Sequence, residues 1–202
     1  MIEHKKVYKL KERKNMELKK VLIGLEGLKA KGNLDVEINN LDSNSKNIKE
    51  GDMFVAIKGF STDGHKYINN AIKAGAKVVM VEEGADLSSI ELPDDVTLIM
   101  AKDTREALAI CSCNFYENPS KKFKLIGVTG TKGKTTTTFM IKEILEKAGH
   151  KVGLIGTIAT YINGRMVSES SRTTPESIEL QKTFAHTTNY NQPICSTNKR
   201  KY

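Results

Sequence analysis

Residues 124–136 read Lys124-Leu125-Ile126-Gly127-Val128-Thr129-Gly130-Thr131-Lys132-Gly133-Lys134-Thr135-Thr136. The apolar run at the front predicts a buried strand over Lys124–Thr129. Thr137 to Ala148 follows with Ile141, Ile144, Leu145 and Ala148 on one face, an amphipathic helix closed by Gly149. Between them lies a glycine-rich turn. Binding a phosphate needs several backbone N–H groups turned toward one point. Glycines permit that turn and let the anion come close, and the following helix adds the positive end of its dipole. Lys134 is placed to reach terminal phosphates, and the Thr135 hydroxyl to ligate Mg²⁺. The spacing is G-x-x-G-x-x-G-K-T-T, and the position five before Gly133 is Val128 rather than glycine. Strand, loop and helix nevertheless come in the order that ATP binding requires.

Working outward, Val152–Tyr161 reads as the next strand, and Asn163-Gly164 signals a hairpin back through Met166-Val167. Ser177–Phe184 reads as a helix. Upstream, Asn118-Pro119-Ser120 breaks the pattern, and a domain boundary is placed there. Ahead of it Glu17–Lys29 has apolar residues at helical spacing, Val36–Leu41 is extended, Met53–Ile57 is a strand, and Gly59–Gly64 is a loop. Tyr67–Ala74 is a helix stopped by Gly75, Lys77–Val81 and Val96–Met100 are strands, and Asp103 with Glu106 forms a capping box for a helix to about Phe115. This alternation predicts an α/β protein: a small α/β front domain over 16–118, then a partial phosphate-loop domain with a mostly parallel sheet over 119–184. Residues 1–15 read as a disordered extension. From Ala185 to Tyr202 no apolar periodicity survives, so the second sheet is expected to lack strands and expose an apolar edge.

Several spaced motifs, in order, resemble the Mur ligases. Gly130-Thr131-Lys132-Gly133-Lys134-Thr135-Thr136 resembles their ATP loop, G-T-[NK]-G-K-T-T. Leu41-Asp42-Ser43-Asn44-Ser45 resembles L-D-S-R, with Asn44 in place of Arg, and Gly51-Asp52-Met53-Phe54-Val55-Ala56 resembles G-D-L-F-V-A. Asp63-Gly64-His65 and Ala74-Gly75-Ala76 also fit. Thr173-Thr174-Pro175-Glu176 matches the T-T-P segment of the MurE type, with MurF second. The resemblance runs from about Met16 to Phe184.

That resemblance implies an ATP-dependent ligase of peptidoglycan precursor synthesis in the cytoplasm. It would add a diamino acid, diaminopimelate or lysine, to UDP-N-acetylmuramoyl-L-alanyl-D-glutamate through an acyl phosphate. ATP and Mg²⁺ would be required. Lys134 and Thr135 would act at the phosphates, with Thr135 on the metal. Leu41, Ser43, Phe60, Ser61 and Thr62 would hold the uridine nucleotide, and Thr173 and Thr174 the muramoyl peptide. Thr173 and Thr174 also read as caps of the following helix, and Ser43 as a turn residue. His65 reads as packing or loop support rather than a catalytic group. The family's later strand, its carbamylated lysine and its third domain have no counterpart here. The chain is therefore expected to be a fragment that lacks activity alone.

Composition is that of a soluble globular chain, 39% hydrophobic and 28% charged, with no apolar run able to span a bilayer. The net charge of +8 is concentrated at the two ends and carries no aromatic-interleaved basic patch, which argues against nucleic acid as a partner. Cys111, Cys113 and Cys195 do not have zinc-site spacing and read as reduced thiols. Two other readings remain open: a nucleotide-binding module without ligation, and an unrelated phosphate-loop enzyme such as a small-molecule kinase. A kinase would turn over ATP with a simple acceptor.

Overall fold

The structure is a computed structural model that describes residues 15–59, 62–169, 175–188 and 194–198. Two compact units form, and the chain passes from one to the other between Phe115 and Tyr116.

In the front unit β1 (Met16–Glu17) leads into a single helical turn, α1 (Leu18–Val21), followed by β2 (Lys29–Lys31), β3 (Glu37–Ile38) and β4 (Leu41–Asp42). β5 (Met53–Val55), α2 (Ile68–Lys73), β6 (Val78–Glu82), β7 (Thr97–Ala101) and α3 (Thr104–Phe115) complete it. The sheet order is β2-β7-β6-β5-β4. β4 to β7 are mutually parallel and β2 is an antiparallel edge. β6 explains its own composition: Val78, Val79, Met80 and Val81 are each fully buried, as a strand covered on both faces must be. Phe54, Val79, Val81 and Leu98 pack with Ile68 and Ala71 of α2. At the start of α3 the Arg105 and Glu106 N–H groups donate to Asp103 Oδ1 at 2.8 and 2.9 Å, the cap expected from sequence.

The helix expected over Glu17–Lys29 is confined to Leu18–Val21. Gly24 and Gly27 adopt φ of 84° and 67°, which turn the chain so that Lys29–Lys31 can pair with β7. Each glycine inside a helix would cost about 1 kcal/mol relative to alanine, and strand pairing prevails.

Cys111 is fully buried on α3, and burial pushes its thiol up to about 12. It should resist alkylation at mildly alkaline pH until the unit unfolds, as read by peptide mass after brief labelling. Rapid modification in native buffer would mean that α3 does not pack on this sheet.

The second unit holds β8 (Leu125–Thr129), α4 (Lys134–Lys147), β9 (Gly153–Ile155), β10 (Ala159–Ile162), β11 (Arg165–Glu169), α5 (Ser177–Thr188) and β12 (Ile194–Asn198). Its order is β11-β10-β9-β12-β8. β12 runs parallel to both β8 and β9, and β9, β10 and β11 form an antiparallel meander.

Four expectations are corrected here. The strand expected over Val152–Tyr161 is two antiparallel strands, because the chain folds back between Ile155 and Ala159. The stretch after Ala185, expected to lack packing pattern, continues α5 to Thr188 and contributes β12 between β8 and β9. Lys124–Thr129, expected to be buried, is half exposed because β8 takes the outer place in the sheet, with Leu125 46% exposed.

The fourth concerns α4, which starts at Lys134 and turns a different face inward. Thr138 and Lys142 are buried while Ile144 is 66% exposed. Lys142 is tolerated there because its ammonium meets Glu146 at 2.8 Å and Glu143 at 3.1 Å. Burial would lower its pKa, but the two carboxylates outweigh that and raise it.

An outer strand with exposed apolar residues invites edge-to-edge pairing. Leu125→Lys should slow aggregation of the chain severalfold by light scattering while leaving its circular dichroism in place. No change in aggregation would place the sticky surface elsewhere.

Candidate functional site

The best-defined chemistry lies at the junction of β8 and α4. β8 ends at Thr129, and Gly133 caps α4 with φ of 79°, a left-handed conformation that a side chain would strain. This turn brings the chain straight from the loop into the helix, and the Thr137 N–H donates to Gly133 O at 2.9 Å. The first-turn N–H groups of α4 have no carbonyl behind them in the helix and face the loop. Gly130, Thr131, Lys132 and Thr136 are exposed, and Lys134 and Thr135 half-buried. Lys134 Nζ folds back to donate to Gly130 O at 2.6 Å and Thr131 O at 3.4 Å, so the loop's own carbonyls hold the ammonium over the turn. A polyphosphate would offer it stronger, charged acceptors. The set suits a nucleoside triphosphate: oriented amides, a helix N-terminus and a cation.

Mg²⁺ fits more narrowly. The half-buried Thr135 hydroxyl can supply one oxygen. No group of three or more Asp, Glu, His or Cys stands ready for a metal among the described residues. A bound Mg²⁺ would therefore take most of its ligands from phosphate oxygens and water, as this ion commonly does.

Of the residues expected to hold a uridine nucleotide, Leu41 opens β4, Ser43 follows that strand, and Thr62 lies in the loop after β5, the strand parallel to β4. The Leu41 side chain is fully buried, so only its backbone can face a ligand. Ser43 is exposed, in a bend fixed by its neighbours. Asp42 Oδ1 accepts from the Asn44 N–H at 2.8 Å, and its Oδ2 accepts from Asn47 Nδ2 at 3.0 Å. Asn44 Oδ1 accepts from the Lys46 N–H. Thr62 is exposed, its carbonyl accepting the Gly59 N–H at 2.9 Å. Phe60, Ser61, Thr173 and Thr174, like residues 1–14 of the extension expected over 1–15, lie outside the described residues.

Asp63-Gly64-His65 acquires a physical account. A side chain on Gly64 would meet the Ile57 backbone, its Cβ lying 2.7 Å from N and 2.8 Å from O. Asp63 Oδ1 accepts the His65 N–H at 3.0 Å and the ring Nδ1 at 2.6 Å. The His65 backbone and ring hold the Asp63 carboxyl below its usual range. The far side of the ring, Nε2, accepts the Glu82 backbone N–H at 3.0 Å. Of the two roles read from sequence, packing or loop support, these hydrogen bonds fit the second. The ring's partner at the end of β6 is a backbone group and leaves no residue-type signal. A cavity of about 470 Å³ lies beside it, lined by Lys58, Asp63, His65, Lys66 and Glu82 among others.

The family model described as "Mur ligase family, catalytic domain" matches residues 37–116, and "Mur ligase middle domain" matches 128–195. A UDP-N-acetylmuramoyl-L-alanyl-D-glutamate--2,6-diaminopimelate ligase of Clostridium tetani is 52% identical over 169 residues, 84% of this chain and 34% of that protein. Its namesake from Clostridium botulinum is 57% identical over 148 residues, 73% of this chain and 30% of the relative. The chain thus spans about a third of the length of these curated relatives.

Among solved structures, a ligase with the same name as these two superposes with a TM-score of 0.67 at 16% identity, over 92% of this chain and 36% of that one. MurF from Acinetobacter baumannii does so at 0.61 and 18%, over 94% and 37%. At those identities the likeness speaks for the fold alone. No helix among the described residues is long and apolar enough to cross a membrane.

Proposed function

This chain belongs to the Mur ligase family, and from that premise we propose that it forms the front and part of the middle domain of a MurE-type ligase. The observation that carries the reading is the loop Gly130–Thr136 on the N-terminus of α4, with Lys134 held over the turn. The names of the curated relatives support diaminopimelate as the amino acid added to UDP-N-acetylmuramoyl-L-alanyl-D-glutamate.

In that reaction the γ-phosphoryl group of ATP passes to the glutamate carboxylate, releasing ADP. The amine of the diamino acid then attacks the acyl carbon, phosphate leaves, and an amide forms with loss of a proton. Bound Mg²⁺ would screen the phosphate charge. Lys134 and the loop amides would hold the phosphates in place, and Thr135 would face the ion. Ser43, Thr62 and the Leu41 backbone, with Phe60 and Ser61, would seat the uridine nucleotide. Thr173 and Thr174 would meet the muramoyl peptide. The setting is the cytoplasm, where both nucleotides are available.

For the chain by itself we propose nucleotide binding without ligation. The test titrates the full chain with a fluorescent ATP analogue in Mg²⁺, and separately with UDP-N-acetylmuramoyl-L-alanyl-D-glutamate by calorimetry. Saturable binding of each, without phosphate release, is the expected result. Phosphate transfer to a simple acceptor would favour a small-molecule kinase, and failure to bind either compound would overturn the reading.

A further inference from the structure

We propose that His65 is a positioning residue for the loop that carries Thr62: its neutral ring ties the loop to the end of β6, and protonation releases it. The inference rests on the uridine-nucleotide reading of the front unit for its consequence, though not for its geometry.

A backbone amide can only donate. The Glu82 N–H at 3.0 Å from Nε2 therefore requires a lone pair on that nitrogen, and the ring proton must sit on Nδ1, where it donates to Asp63 Oδ1 at 2.6 Å. The His65 side chain is 12% exposed, so most of the ring is shielded from bulk water. The loop base is closed on itself. Lys58 and Asp63 form an antiparallel bridge, the Gly59 N–H donates to Thr62 O, and the Gly64 N–H donates to Ile57 O. His65 joins that base to β6, so the placement of Thr62 depends on the ring keeping both bonds.

A second proton on the imidazole goes to Nε2 and sets two donors face to face. The bond to Glu82 is lost while the contact with Asp63 is kept. The titratable groups around the same cavity are Lys58, Asp63, Lys66, Glu82, Glu83 and Asp86, four carboxylates against two ammonium groups. The tied form holds fewer protons than the released form, so the tie is complete at high pH and is lost as pH falls.

The experiment uses the full chain labelled with ¹⁵N and follows the ring nitrogens and the amides of Gly59, Thr62 and Glu82. The pH runs from about 8 to about 5, the span over which imidazoles change charge. The expected result is an Nδ1–H tautomer at the upper end, with Glu82 and Thr62 amides shifting at the ring's own midpoint. An Nε2–H tautomer, or a Thr62 amide indifferent to the ring, overturns the proposal.

In parallel, affinity for UDP-N-acetylmuramoyl-L-alanyl-D-glutamate should fall about tenfold over that span, the equivalent of one lost hydrogen bond. His65→Gln keeps an acceptor for the Glu82 N–H but does not titrate. It should show a flat pH profile and bind more tightly than His65→Leu, with thermal unfolding of each variant recorded at both pH extremes to separate loss of fold. A His65→Gln profile as steep as that of the unchanged chain also overturns the proposal. Absence of uridine-nucleotide binding at every pH, with the expected amide shifts present, counts against the front-domain reading and leaves the tie standing.

Discussion

Lys134→Met should weaken ATP binding by the full chain roughly 10- to 100-fold, the range for losing hydrogen bonds to a charged acceptor. Little stability should be lost with it. The Lys134 ammonium is bonded to the Gly130 and Thr131 carbonyls, residues on the exposed surface of the loop where water can take its place. Affinity and fold should therefore separate cleanly, as read by titration with a fluorescent ATP analogue beside circular dichroism. Undiminished affinity would mean that ATP does not bind on the α4 N-terminus at all. Uridine-nucleotide binding should be untouched, because Ser43 and Thr62 belong to the other unit.

Gly64→Ala should destabilise the front unit by about 2–4 kcal/mol, combining an overpacked contact with a weakened hydrogen bond. The new Cβ would lie 2.7 Å from Ile57 N and 2.8 Å from its carbonyl oxygen, and neither is the movable end of a flexible side chain. The Gly64 N–H donates to that same carbonyl at 2.9 Å, and the adjoining Ala56 N–H donates to Met80 O at 2.8 Å. The backbone there is held to β6, so it cannot relax without disturbing the sheet. Urea unfolding followed by far-ultraviolet circular dichroism measures the loss; the chain has no tryptophan to serve as a probe. A change below about 0.5 kcal/mol, the size typical of an unconstrained surface position, would show that the loop is free to shift.

These two residues differ in how far sequence alone could explain them. Lys134 sits in a contiguous motif, where strand, glycines, lysine and threonines are read together. Local chain geometry fixes how such a segment folds, so the loop was legible before any tertiary contact was known. Gly64 could be matched to a family pattern, but the reason for glycine there is a contact with Ile57, which only the fold brings near. His65 is similar: the sequence shows a lone histidine, and the group that completes its bonding is the backbone N–H of Glu82.

The same division holds for the elements whose fold departs from their local pattern. Leu18, Val21, Leu22, Leu25 and Leu28 carry helical spacing, yet the helix stops at Val21 because β7 offers Lys29–Lys31 a partner. Leu125, Ile126 and Val128 have the composition of a buried strand, but burial depends on neighbours on both sides, and among the described residues β8 has one. The inward face of α4 is set by the sheet beneath it, and the Glu143 and Glu146 carboxylates make Lys142 acceptable there.

By itself the sequence determined the α/β character, the strand–loop–helix order around Gly130–Thr136 and the Asp103 cap of α3, because these depend on residues within a few positions of one another. The tertiary structure alone decided which strand lies at the edge of the second sheet, where Ile194–Asn198 inserts, and how His65 is held. Each of those depends on pairing between segments far apart in the chain, and backbone hydrogen bonds, which every residue can make, leave little trace in residue type.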